Sequence, residues 1–548
     1  SIPRPPLRKR SCVSAVSMLL LGGLVVTEGL LIPQVQAQTA DRQIQFSINP
    51  APLDQALGQF GRQAAIALST NASLTAGKTS QGLKGQYSVA EGLAHILAGS
   101  GYSAVQQANG AYLLVPQVAG ALELGATSIN ASALGSTTEN TGSYATGAMQ
   151  TATKLSMSQR ETPQAVTVIT RQRMDDQDMR NLDDVVQATP GLRMAAARPA
   201  NSEYFSRGFP ITNLMFDGLP TTYNADWVAA ADMAPYDRVE IVRGATGLMQ
   251  GAGNPSAAIN MGRKRPTHDF QGSISAGTGS WDNYRSELDL SGPLNDSGSL
   301  RGRFVGAYQD KDGFQDYAGR ERGVFYVISE FDLNDSTTLT VGASDQNDNN
   351  NINWGGLPVN PDGSHVNFSR SKTFGYTWSH QDIDNKTVFA ELDHRFANDW
   401  RGHVSASKNW SDFKLTGAVL EHYATYQQRV FNQKRNYDQS TYDAYVSGPF
   451  NLFDRQHELV VGASKRQLKT SGKGGNMFIP VADIINFDPH SVPKPYVPDS
   501  YNLSENIDQE GLYVTTRWSI SDPLKVILGA RLDWYDTTSI YDMLSWVP

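Results

Sequence analysis

Alternating apolar and polar residues recur, in paired runs, through the second half of the chain. Five pairs stand out, each joined by a short polar turn: SELDLSGPLNDSGSLRGRFVGAYQ, VISEFDLNDSTTLTVGAS, TVFAELDHRFANDWRGHVSAS, AYVSGPFNLFDRQHELVVGAS and GLYVTTRWSISDPLKVILGARLDWY. Between them lie stretches of roughly a dozen to forty residues rich in Asn, Asp, Gly and aromatics. Short turns on one side and long loops on the other predict a transmembrane β-barrel. Side chains along a strand point to opposite faces, so Val526, Leu528, Ala530 and Leu532 can face lipid while Lys525, Gly529, Arg531 and Asp533 face the lumen. A soluble β-sandwich is the competing fold on this pattern alone.

Composition narrows the choice. The chain has 548 residues and a formal charge of -8, which lends no support to nucleic-acid binding. Mean hydropathy is -0.38. Beyond the N-terminus no run of about 18 apolar residues occurs, which excludes a polytopic helical membrane protein; a barrel passes this test because only alternate strand residues need be apolar. Arg8-Lys9-Arg10, an apolar stretch from Val13 to Ile32, and Val35-Gln36-Ala37 read as a secretory signal peptide over 1–37. A membrane anchor is the alternative, against which Gly22-Gly23 and Glu28 interrupt the segment. Cys12, the only cysteine, lies within it, so the mature chain is expected to lack disulfides and a cysteine nucleophile.

Residues 38–116 predict a compact α/β unit. QIQFSI alternates as a strand, and Leu53, Ala56, Leu57, Phe60 and Ala64 share one helical face behind Pro52. Ser88 and Glu91 have capping-box spacing ahead of a stripe of Val89, Leu93, Ile96 and Leu97. YSAVQQ and AYLLV follow, joined through Asn109-Gly110, a hairpin signal. The phrases FSINPAPLDQALGQFGRQA and LKGQYSVAEGLAHILAGSGY resemble the short N-terminal domain shared by secretins and signalling outer-membrane receptors, which implies contact with a regulator in the cytoplasmic membrane. Residues 117–157 read as a Gly/Ala/Ser/Thr linker. Within it, Ala126, Thr127, Ser128, Ile129, Asn130 and Ala131 resemble the TonB box, an extended segment able to add to a partner's sheet edge. Taken alone the segment fits a plain linker better; its position between two recognised domains favours the TonB box.

YDRVEIVRGATGLMQGAGNPSAAINMGRKRP, with RETPQAVTVITRQRM, LDDVVQATPGLRM, SRGF and FDGLP upstream, closely resembles the plug domain of TonB-dependent ferric-siderophore receptors. The resemblance implies a plug over 158–266 and a barrel from 267, and is nearest the signalling subgroup for pyoverdine- or pseudobactin-type siderophores. VEIV reads as a short strand; Gly244, Gly247, Gly251 and Gly253 permit tight turns. A phosphate loop is the competing reading of this stretch, but no GxxxxGK[ST] spacing occurs. Counting strands from Gln271 gives eleven, half of the 22 in plugged outer-membrane transporters. Because the chain begins at Ser1 and stops at Trp546-Val547-Pro548, it reads as a fragment of a longer protein.

No iron-ligand cluster is visible: His365, His380, His394, His403, His422 and His457 are dispersed without ligand spacing. None is required, since a siderophore already cages its iron, and no resident cofactor is expected. A bulky, partly aromatic, charged chelate calls for indole and phenol surfaces with a few charged anchors. Arg207 and Trp354 lie in segments matching the family's pocket. Trp378 matches approximately, and Tyr223 and Trp227 are placed by their loop. Trp410, Trp518 and Trp534, on strands, fit an interfacial girdle. The expected function is a non-enzymatic outer-membrane receptor with its N-terminal domain in the periplasm. It would import a ferric siderophore with TonB and report occupancy to an anti-sigma regulator. A secretin-like export pore sharing only the N-terminal domain is the alternative.

Overall fold

The computed structural model describes residues 44–544 except 67, 70–74, 76–77, 99, 101, 107–111, 117–136, 199–200, 224–229, 356, 361 and 423–425. Two compact units result. The expected signal peptide and TonB box lie outside the described residues.

In the smaller unit, strand β1 (Ile44–Ile48) pairs antiparallel with β2 (Leu83–Tyr87), and β3 (Tyr102–Gln106) with β4 (Tyr112–Pro116). Helix α1 (Leu53–Ala64) buries all five residues of its expected stripe; Pro52 stands at the N-cap, one place before the first helical residue. Helix α2 (Val89–Leu97) opens with the expected capping box: Ser88 Oγ accepts from the Glu91 amide, and the Glu91 carboxylate accepts from the Ser88 amide at 2.9 Å. The core closes on Phe46 stacked against Phe60, with Ile48, Leu57, Leu93 and Ile96 around them.

The larger unit contains a plug and a barrel sheet. The plug sheet holds β5 (Ala165–Ile169), β8 (Asn213–Phe216), β9 (Leu219–Thr222), β10 (Tyr236–Arg243) and β11 (Ala257–Arg263), in the order β9-β8-β11-β10-β5. Helices α3 (Arg171–Asp176) and α4 (Leu182–Gln187) pack beside a three-stranded side sheet of β6 (Leu192–Arg198), β7 (Asn201–Ser206) and the two-residue strand Phe209–Pro210. Its core joins Ile169, Met174, Leu182, Val185, Tyr204, Val239, Ile241, Ile259 and Met261.

Eleven strands form the barrel sheet, each paired antiparallel with its chain neighbour: β12 (Gln271–Gly279), β13 (Asn283–Pro293), β14 (Leu300–Asp312), β15 (Gly319–Asn334), β16 (Thr337–Asn351), β17 (His380–Arg395), β18 (Arg401–His422), β19 (Tyr426–Leu452), β20 (Arg455–Pro480), β21 (Tyr501–Ser519) and β22 (Lys525–Met543). Turns such as Leu452–Arg455 gather at one rim, and the loops at 352–379 and 481–500 at the other. With 27 and 26 residues, β19 and β20 far exceed the ~10 needed to cross a bilayer, so they stand out beyond it. Alternation fixes the faces. Leu512 and Leu532 pair in register and are 52% and 54% exposed, whereas Thr515 is fully buried. On the inner face of β22, Gly529 lies against Leu248 of the plug, and Asp533 accepts from Gln509.

The flexible linker expected over 117–157 is corrected over its described part, 137–157. Thr138 is buried, its amide and hydroxyl both bonded to Asp237. Met149 and Met157 pair across a bridge, and Leu155 and Met157 enter an apolar cluster with Tyr445, Val460 and Tyr513 of the barrel. Composition misleads here because a few apolar and charged residues among many small ones supply the anchoring.

Candidate functional site

The plug is seated by buried charge. Its FDGLP turn has positive φ at Asp217 and Gly218, the two-residue geometry that suits the twist of a hairpin. That turn presents the Asp217 carboxylate to Arg263, at 2.8 Å, and to Arg265, at 3.4 Å. Arg265 continues to Glu391 on β17 at 2.8 Å. Lys264 points the other way, to Asp289 on β13 at 2.8 Å; Asp289 also binds Arg303 of β14, whose other partner is Glu139. Asp232 takes both guanidinium nitrogens of Arg285 at 2.8 Å and lies 3.6 Å from Arg322. On the far wall Lys154 reaches Asp443 of β19 at 2.8 Å and lies over the Tyr445 ring.

Buried ions are tolerated only where partners replace their water. Burial opposes ionisation of Asp217, but Arg265 and Arg263 outweigh it and hold the carboxyl below its usual range. Asp232 follows the same balance through Arg285 and Arg322. Burial also pushes the Tyr236 phenol up to about 12. Such groups stay charged, or neutral, across physiological pH. Their arrangement suits a mechanical seal rather than proton chemistry.

Among the described residues, those expected to meet ligand are not gathered into one cavity. Arg207 is exposed at the tip of the hairpin after β7, with φ of 53°. Trp354 is half-buried in the loop after β16, edge-on to Phe431 at 4.3 Å. Trp378 donates its indole N–H to the Val492 carbonyl at 2.9 Å and stacks on Tyr376. It thereby helps knit the 352–379 and 481–500 loops around Phe374, Phe487 and Val497. Tyr223 requires a correction: it is 5% exposed, stacks on Tyr204 and donates to the Ser202 carbonyl, which makes it plug core rather than a ligand surface. Trp227 lies outside the described residues. Trp410 and Trp534 sit exposed on the outer face of the sheet.

Comparison with known proteins bears on this arrangement. Residues 158–258 match the TonB-dependent receptor plug domain, 326–546 the TonB-dependent receptor-like β-barrel, and 66–117 the secretin and TonB N-terminus short domain. A crystal structure of the ferripyoverdine receptor of the Pseudomonas aeruginosa outer membrane, bound to ferripyoverdine, superposes with a TM-score of 0.71 at 37% identity, covering 92% of this chain and 67% of that one. The chain belongs to the TonB-dependent receptors. It is 40% identical over 523 residues to the ferripyoverdine receptor of P. aeruginosa, covering 92% of this chain and 64% of that protein. The ferric-pyoverdine BN7/BN8 receptor of Pseudomonas putida is 39% identical over 93% of this chain and 65% of its own length. The chain thus spans just under two thirds of the curated relatives it matches.

TonB-dependent receptors are outer-membrane proteins and not enzymes. The β-sandwich alternative falls with the barrel match. No helix among the described residues is long and apolar enough to cross a membrane. What sequence reasoning missed in this receptor is the ion-pair seat. Its signal was present as charges at inward strand positions, such as Asp289, Arg303, Arg322 and Glu391. Their plug partners lie up to 289 residues away in the chain, as for Lys154 and Asp443.

Proposed function

We propose that this receptor imports a ferric siderophore of pyoverdine type across the outer membrane, drawing energy from TonB through residues 126–131. The observation that carries this reading is a folded plug held inside a barrel wall by buried ion pairs, in a chain 40% identical to a ferripyoverdine receptor. Such a plug closes the lumen at rest, so passage demands external work. Iron is cargo within the chelate. Arg207, Trp227, Trp354 and Trp378 are the proposed ligand contacts. The eleven strands are proposed as the first half of a 22-stranded barrel. Among the described residues β12 and β22 each pair on one side only, and unpaired backbone groups in hydrocarbon cost several kcal/mol each.

The N-terminal unit, with its own core, is proposed to report siderophore occupancy to an anti-sigma regulator. Deleting 42–116 from the full-length receptor is expected to leave uptake intact and abolish siderophore-dependent induction. Induction that survives the deletion would assign the signal elsewhere. Growth of a receptor-deficient strain carrying the full-length gene, on ferric pyoverdine as sole iron source, tests transport itself.

A further inference from the structure

Ion pairs between plug and wall divide by where they start in the chain. Residues of the plug body face one side: Asp232 holds Arg285 on β13, Lys264 holds Asp289 on the same strand, and Arg265 holds Glu391 on β17. The opposite side is reached from the segment that leads into the plug. There Lys154 holds Asp443 on β19 and Glu161 holds Arg517 on β21, at 2.8 and 2.7 Å. From the same segment Glu139 crosses to the first side, to Arg303 on β14.

Strand β18 lies between the two sides and differs from both. Its inward side chains over 405–411 are Ser405, Ser407, Asn409 and Ser411, a strip without charge. The plug turns the edge of its sheet toward this strip. β9 is the edge strand, uncharged from Leu219 to Thr222. Neutral bonds join it to the wall: the Thr222 amide donates to Gln439 Oε1 at 3.1 Å, and Thr441 Oγ1 donates to the Pro220 carbonyl at 3.1 Å. A cavity of about 100 Å³ opens on one face of this hairpin, between Phe216 and Thr222 and the wall residues Asn385, Asn409 and Ser411. Neighbouring residues of a strand point to opposite faces. Against the other face, past Met215, Lys154 donates to the Gly218 carbonyl at 3.4 Å.

We infer that β18 lines the passage taken by the chelate, and that the plug edge β9 parts from β18 and β19 to open it. The inference rests on the receptor reading above and deepens it. A space of about 100 Å³ falls short of the roughly 300 Å³ of a small-molecule site, so the edge has to move first. Tension on residues 126–131 reaches Lys154 and Glu161 along the chain and draws them from β19 and β21. The ion pairs of the plug body stay, and the side they hold serves as the hinge. Neutral hydrogen bonds then remain at the opening edge, and they part more readily than buried ions. A wall of hydroxyls and amides gives the chelate's oxygens weak partners and no opposite charge to trap it, the balance that passage requires.

Two cysteine pairs test this in the full-length receptor, in a mature chain with no other cysteine. Thr222→Cys with Gln439→Cys bridges the opening edge. Ala234→Cys with Ala307→Cys bridges the hinge side, where both residues share one buried cluster. Each pair is closed by oxidation or by a short reducible thiol linker, and ferric pyoverdine is followed at the surface and inside the cell. The edge bridge should keep surface binding and lose TonB-dependent internalisation, and reduction should restore it. The hinge bridge should keep both. Internalisation through the edge bridge, or its loss with both bridges alike, overturns the passage while leaving the receptor reading intact. No internalisation by the unbridged wild type overturns both.

Discussion

Asp232 offers the sharpest probe of how the plug is held. Its carboxylate takes two bonds from Arg285 at 2.8 Å, a third from the Ala234 amide at 3.0 Å, and faces Arg322 at 3.6 Å. Asp232→Asn keeps the shape but removes the charge from between two arginines. Breaking a buried pair by removing one partner costs about 3–5 kcal/mol. Arg322 keeps Asp348 at 2.7 Å and Arg285 keeps Glu287 at 3.2 Å, which places the expected loss near the lower bound, about 3 kcal/mol. In the full-length receptor in detergent, the plug transition under denaturant should therefore shift to a lower midpoint, read by labelling of a cysteine introduced on β10. Adding Arg285→Gln removes the orphaned cation and should recover at least ~1 kcal/mol, a coupling expected of groups in contact. An unchanged midpoint in Asp232→Asn, or strictly additive losses in the double variant, would refute the claim that these charges seat the plug.

Acid should loosen the same seat. The folded-state carboxyls of Asp217 and Asp232 are depressed, so their stabilisation is present above the unfolded value near 3.9 and fades as pH falls through the folded one. Protease access to the plug should thus be flat from about pH 5 to 8 and rise below about pH 4. Tyr223→Phe loses one buried hydrogen bond and should cost about 1 kcal/mol without touching siderophore affinity, as a calorimetric titration would show; a large affinity loss would return Tyr223 to the binding surface. Trp354→Ala should weaken binding by about 2 kcal/mol, the usual worth of an aromatic anchor, as the same titration would show. Trp378→Ala should also raise protease cleavage in the 352–379 and 481–500 loops, because its bond to Val492 joins them.

Much of the fold was legible because local patterns and long-range pairing agree. Alternation along LKVILGARLDW assigned Leu528 and Leu532 outward and Arg531 and Asp533 inward, and the sheet register repeats that assignment strand by strand. The Ser88–Glu91 cap and the apolar stripe of α1 are local signals that the tertiary structure leaves intact. Tyr223 was misplaced because a polar loop sequence does not reveal that its ring turns inward to Tyr204. Residues 137–157 were misread for a related reason: Lys154 has no local partner, and its meaning comes from Asp443 on a distant strand. Ligand contacts were least legible, because loop aromatics such as Trp378 serve loop packing as readily as binding.

Energy-dependent uptake is the decisive measurement for TonB-driven import. Cells lacking other siderophore receptors and carrying the full-length gene are supplied with radiolabelled ferric pyoverdine, with and without TonB. Binding at the surface is expected in both strains, and internalised iron only where TonB is present. Internalised iron at the same rate without TonB, or no siderophore-dependent iron at the surface of either strain, would contradict it.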